Sequence, residues 1–188
     1  VMKRLLSLII TLALLIGCKD KENKNQENQN KAQPSEEEVP KVDLSGFEYS
    51  LNGESVILTK CTRVGQVIVP STIEGFAVTT IGENAFYRNS GMTSLTLPST
   101  LTSIGNSAFR ECIKITNVTI PPNVTSIGVS AFSGCIGLKT VQFLGDAPEE
   151  SKYMFKDAPA TLYFDPGKNG WDKPFGGRPL KAMSEFPN

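Results

Sequence analysis

The chain has 188 residues, with 19 Lys plus Arg against 19 Asp plus Glu and no histidine. That length allows one modest domain with accessory segments, and the balanced charge argues against the clustered basic face that nucleic-acid binding needs. Without His the chain lacks the usual general base at neutral pH and the commonest metal ligand, and its 16 Gly and 12 Pro predict many turns and short elements rather than long helices.

Residues 1–17 read as an export signal. Lys3 and Arg4 precede an apolar run, Leu5 to Ile16, broken only by Ser7 and Thr11. The run is too short for a bilayer span, which takes about 20 residues. A charged start, a short apolar stretch and small residues after it are the marks of a secretory signal. The run ends in Leu15-Ile16-Gly17-Cys18, which resembles the lipobox of bacterial lipoproteins. That resemblance implies diacylglyceryl attachment to the Cys18 sulfur, cleavage before Cys18 and acylation of the new amine with a palmitate-type chain. Each buried methylene contributes about 0.8 kcal/mol, so two or three chains would anchor the protein to a membrane. Lys19 follows Cys18; by resemblance to enterobacterial sorting, the lack of Asp there implies the outer membrane.

Residues 18–44 are expected to form a lipid-anchored disordered tether. Lys19 to Glu38 holds one Ala and no larger aliphatic or aromatic side chain. Such a segment cannot bury enough surface to offset its chain entropy. The run Glu36-Glu37-Glu38 is read as solvated linker. Residues 45–66 are expected to form a β-hairpin cap. Phe47-Glu48-Tyr49-Ser50-Leu51 and Val56-Ile57-Leu58 flank Asn52-Gly53, a favoured two-residue turn because both positions take positive φ.

Residues 67–145 carry an internal repeat of 23 residues. Met92–Cys112 and Ile115–Cys135 align without gaps, and Leu138–Gly145 begins the pattern again. An earlier copy, Val67–Pro70 through Ile81-Gly82, Ala85-Phe86 and Asn89, fits with five extra residues near Ile73–Ala77. Leu95 and Leu97, Val118 and Ile120, and Val141 and Phe143 alternate around a polar residue, which predicts strands with one buried face. Pro98 and Pro121 lack an N–H and end the ladder. Gly105 and Gly128 permit a turn that a Cβ would hinder. Asn106–Phe109 and Val129–Phe132 are expected as single helical turns that deliver a Phe to the core. One such unit cannot cover its own apolar side, so neighbours must stack.

The pattern L-x-x-L-x-L-P-x-x-L-x-x-I-G-x-x-A-F-x-x-C resembles the BspA-type, Treponema-like leucine-rich repeats of bacterial surface proteins, over about residues 64–145. The resemblance implies a β-rich solenoid with a short parallel sheet on its concave side and short helical turns on the other. Residues 146–188, rich in aromatics from Tyr153 through Trp171 and Phe175, are expected to close the last coil as an aromatic C-terminal cap.

No catalytic or metal-binding constellation is expected. Cys112 and Cys135 lie one repeat apart in a column shared with Asn89. Coils about 4.8 Å apart with parallel Cβ vectors disfavour a disulfide, so free buried thiols bonding the turn backbone are the preferred reading. Cys61 is read likewise, and the spacing of the three cysteines does not match zinc sites. The outward strand positions Ser94, Thr96, Asn117, Thr119, Thr140 and Gln142 form a flat hydroxyl and amide face, the candidate binding surface because concave sheets are where solenoids bind. The expected function is that of a non-catalytic, adhesin-like protein-binding module in the cell envelope. It would be lipid-anchored at Cys18, surface-exposed and monomeric, without cofactors, with a host matrix protein or an envelope protein as partner. The alternative is a structural or assembly role facing the periplasm.

Overall fold

The computed structural model describes residues 43–187. The expected signal segment, Cys18 and nearly all of the expected tether lie outside the described residues.

Among the described residues twelve short strands follow one another: β1 (Phe47–Asn52), β2 (Ser55–Cys61), β3 (Gly65–Ile68), β4 (Thr72–Ile73), β5 (Phe76–Ile81), β6 (Met92–Thr96), β7 (Ser103–Ile104), β8 (Asn117–Ile120), β9 (Ser126–Ile127), β10 (Thr140–Phe143), β11 (Thr161–Phe164) and β12 (Leu180–Ala182). They wind into a β-solenoid of about five turns. On one side run the parallel pairs β3–β6 and β8–β10–β11–β12; on the other runs β2–β5–β7–β9, also parallel. The 23-residue period sets the register: Asn117 pairs with Thr140 and Ser103 with Ser126.

Alternation places the apolar residues inside. Val118, Ile120, Val141 and Phe143 are buried, and the polar residues between them face outward. Phe86, Phe109, Phe132 and Phe155 form one column, with ring centroids 4.8, 5.1 and 5.5 Å apart. Each ring is essentially sealed from water. Burying a Phe stabilises by about 1.5–3 kcal/mol, so this spine is the largest repeated contribution to the core. The column continues past Gly145, since Phe155 stacks on Phe132 and β11 pairs with β10.

Two local details differ from expectation. The segments expected as helical turns are not helical. Ser107 and Ser130 sit at φ 52° and 58°, and alternate N–H groups pair with the next coil while those between them close local turns, such as Arg110 N–H to Ser107 O at 3.1 Å. Ser107 N–H donates to Val129 O (2.9 Å) and Phe109 N–H to Ala131 O (2.8 Å). Among the described residues the sole helical element is a 3-10 turn at Met183–Glu185. The hairpin turn also lies one residue further along. Asn52 pairs with Ser55, leaving Gly53 and Glu54 as the central pair. Only Gly53 has positive φ, at 61°, the arrangement of a glycine-led turn in which one central residue needs that conformation.

Gly105 and Gly128 serve close approach of coils. Neither has positive φ, but a Cβ on Gly105 would sit 2.7 Å from Glu83 N, and one on Gly128 would sit 2.5 Å from Asn106 N. At the C-terminal end Trp171 packs 4.9 Å from Phe143 and 5.4 Å from Phe164, and its indole N–H donates to Gly145 O at 3.2 Å. Phe175 meets Phe143 edge-on at 5.5 Å. These rings close the interior over the last coil.

Candidate functional site

The outward residues of β6, β8 and β10 stand in two columns. Register puts Gln66 beside Ser94, and Asn117 beside Thr140 and then Thr161. It puts Ile68 beside Thr96, and Thr119 beside Gln142, Tyr163 and Lys181. Thus Asn117, Thr119, Thr140 and Gln142 share one continuous ladder, with Ser94 and Thr96 on the neighbouring coil. Ser94, Thr96, Asn117 and Thr119 are exposed; Thr140 and Gln142 are half-buried.

Side chains on adjacent coils hold one another. Thr119 Oγ1 donates to Gln142 Oε1 at 3.1 Å, and Thr140 Oγ1 donates to Asn117 Oδ1 at 2.6 Å. Side chains already fixed in the free protein lose less rotamer entropy on binding. The amide N–H donors of Gln142 remain open to a partner, because its oxygen is the atom engaged.

The face has limits and a gap that sequence reasoning missed. Ile68, 55% exposed, extends one column toward the N-terminus. At the other end Tyr163 is covered edge-on by Phe186, with ring centroids 4.9 Å apart. Between β6 and β8 the strand ladder is interrupted, since these two belong to different sheets. There a slot of about 260 Å³ opens, with Leu97, Pro121, Pro122 and Leu144 along it and Thr96 and Thr119 at its margins. Ile68 was legible as the counterpart of Thr96, allowing for the five extra residues. The slot had no sequence signal, because its lining comes from residues just past the strand ends of three successive coils, Leu97, Pro121, Pro122 and Leu144.

The cysteine column behaves as a structural polar position. Cys112 and Cys135 donate to Phe86 O (3.1 Å) and Phe109 O (3.0 Å), and Asn89 in the same column donates to Arg63 O at 2.7 Å. All three described thiols, Cys61, Cys112 and Cys135, are free and buried. Burial pushes the Cys112 and Cys135 thiols up to about 12, far from the range of a nucleophile. Among the described residues no three His, Cys, Asp or Glu side chains cluster as metal ligands, and no buried side-chain polar atom lacks a hydrogen bond.

No curated protein matches the chain. Among solved structures it is similar to a leucine rich cell surface protein from Faecalibacterium prausnitzii, with 23% identity, 66% of this chain and 44% of that one covered, and a TM-score of 0.49. It is also similar to the pneumococcal vaccine antigen PcpA (19% identity, 71% and 37% covered, TM-score 0.49) and to the T. pallidum leucine rich repeat protein TpLRR (18% identity, 65% and 86% covered, TM-score 0.35). The chain thus spans less than half the length of the first two. The family model of the BspA type leucine rich repeat region matches residues 54–162 in six copies. Repeats of this kind generally serve as protein-interaction modules and are generally non-catalytic. Period, buried columns and family match agree, and the chain belongs to the BspA-type leucine-rich repeat family.

Proposed function

We propose that this protein is a lipid-anchored, adhesin-like module of the bacterial cell envelope that binds a protein partner through Ser94, Thr96, Asn117, Thr119, Thr140 and Gln142. The observation that carries this reading is the pair of inter-coil side-chain bonds, Thr119 to Gln142 and Thr140 to Asn117. They fix Asn117, Thr119, Thr140 and Gln142 as an uncharged array, which Ser94 and Thr96 extend on the neighbouring coil. The slot beside Thr96 and Thr119 adds room for an apolar anchor from the partner, the kind of buried contact that dominates interface energy.

Magnitude shapes the proposal. Strands about 4.8 Å apart make a face some 20 Å across for five strands, and a standard interface takes about 800 Å² per partner. A single copy therefore binds weakly. Many copies held at a membrane by Cys18 add avidity, which gives the anchor a functional purpose.

Three measurements test the parts separately. Metabolic labelling with an alkyne fatty acid marks the wild-type chain, and C18S abolishes the label; equal labelling removes the anchor. Protease added to intact cells cleaves residues 41–188; complete protection favours the periplasmic assembly role instead. Immobilised matrix proteins and envelope extracts, used as separate baits, capture the wild-type chain, and T96K/T119K/Q142K loses that capture. Equal capture of both would place binding on another face.

A further inference from the structure

We propose that the turn edge of the last coil is a second docking site, which takes an extended, acidic segment of a partner protein as an added strand. It is separate from the hydroxyl and amide face and does not depend on it.

Inner coils hold one another along this edge by a fixed set of backbone bonds. Ser107, Phe109 and Glu111 donate their N–H groups to Val129 O (2.9 Å), Ala131 O (2.8 Å) and Ser133 O (2.8 Å). One coil later, Ser130, Phe132 and Gly134 donate to Lys152 O (3.1 Å), Met154 O (2.8 Å) and Lys156 O (2.8 Å). The next members are Tyr153, Phe155 and Asp157, and their N–H groups find no acceptor among the described residues. Their backbone nevertheless keeps the inner-coil conformation. Tyr153 has φ 61° where Ser130 has 58°, and Asp157 has 60° where Gly134 has 73°. Phe155 is buried, so the reachable donors are those of exposed Tyr153 and Asp157.

The donors lie beside a cavity of about 510 Å³ lined in part by Lys152, Tyr153, Lys156, Arg178 and Glu150. Lys152 and Lys156 have no ion-pair partner among the described residues. Glu150 already accepts from Gly176 N–H at 3.0 Å, and Arg178 donates to Phe155 O at 2.6 Å. The site therefore offers two reachable N–H donors, Tyr153 and Asp157, four residues apart and on the same side of the chain, together with uncompensated positive charge on Lys152 and Lys156. An extended strand presents carbonyls on alternate residues along one side, and adding a strand to an open edge is a general mode of peptide recognition. Acidic side chains on that strand would answer the two lysines.

A second copy of this chain is a poorer occupant. The corresponding acceptors on the first coil would be Glu83, Ala85 and Tyr87, and Ala85 O is already taken by Cys61 N–H at 2.7 Å. That end is closed at its centre by the chain itself.

The test uses the full chain in detergent micelles and a fluorescein-labelled peptide alternating Thr and Glu, with a Thr-Lys peptide as control. The acidic peptide raises anisotropy saturably and the control does not. K152E/K156E weakens binding by about tenfold or more, while T96K/T119K/Q142K leaves it unchanged. In 15N spectra the Tyr153 and Asp157 amide resonances move downfield on binding. Equal response to both peptides, no binding, or binding that leaves those two amides unmoved overturns the proposal. So does self-association of the wild-type chain in sedimentation that K152E/K156E abolishes, since the edge would then belong to a second copy.

Discussion

The two middle coils, residues 92–135, and the closing segment, residues 146–187, bury their aromatic rings by different means: Phe109 and Phe132 in the first, Phe155, Tyr163, Trp171 and Phe175 in the second. In the middle coils each Phe stacks on its counterpart 23 residues away, and backbone bonds repeat with the same period. In the closing segment Phe155 still stacks on Phe132, but Trp171 and Phe175 meet each other and Phe143 at tilted and edge-on angles, and Trp171 stacks on Phe164, contacts that do not repeat. Stability in the first region is a sum over like neighbours, as in other solenoids; in the second it rests on a few contacts made once. Damage in a middle coil should therefore spread to both sides, and damage in the closing segment should stay local.

The largest effect should come from Phe109→Ala, which removes the ring between Phe86 and Phe132. A loss of about 4–5 kcal/mol is expected, at the upper end for such truncations, read as a lower urea midpoint. An effect below that of Trp171→Ala would break the comparison. Trp171→Ala should cost about 3 kcal/mol yet leave the hydrogen-exchange protection of residues 92–135 intact; loss of protection throughout would make the two regions one cooperative unit. Gly128→Ala should cost about 1–3 kcal/mol, as overpacking does, because the new methyl would press on the backbone at Asn106.

A smaller effect separates the thiols from solvent. Burial raises Cys112 and Cys135 from an ordinary 9 to about 12. The folded state thus disfavours thiolate more than the unfolded state does. Their contribution to stability is fully present below pH 9 and is lost as pH climbs toward 12. C112A/C135A should flatten the stability profile in that window; an unchanged slope would assign the alkaline loss to other groups. Iodoacetamide at pH 8 should leave both thiols unmodified until denaturant is added.

How much of this was legible follows the same division. The Phe86, Phe109 and Phe132 column could be read directly, because spacing alone places identical residues above one another. Phe155 belonged to it by the same spacing, but Tyr153-Met154 replaced the Ser-Ala that marks the turn, so residues there read only as a cap. The turn conformation escaped notice because a serine, not a glycine, takes the positive φ at 107 and 130. There, backbone bonds to the next coil outweigh the residue's local preference. At the candidate face, alternation named the outward residues. The bonds that order them, and the slot between β6 and β8, depend on how coils meet, which no single coil's sequence specifies.

Amide hydrogen exchange resolved by residue tests the stacked-coil account most directly. The account predicts strong protection at Ser107, Phe109, Ser130 and Phe132, whose N–H groups reach the next coil, and rapid exchange at Tyr153 and Asp157, which have no next coil to reach. Protection at Tyr153 equal to that at Ser130, or rapid exchange at all six, would contradict it.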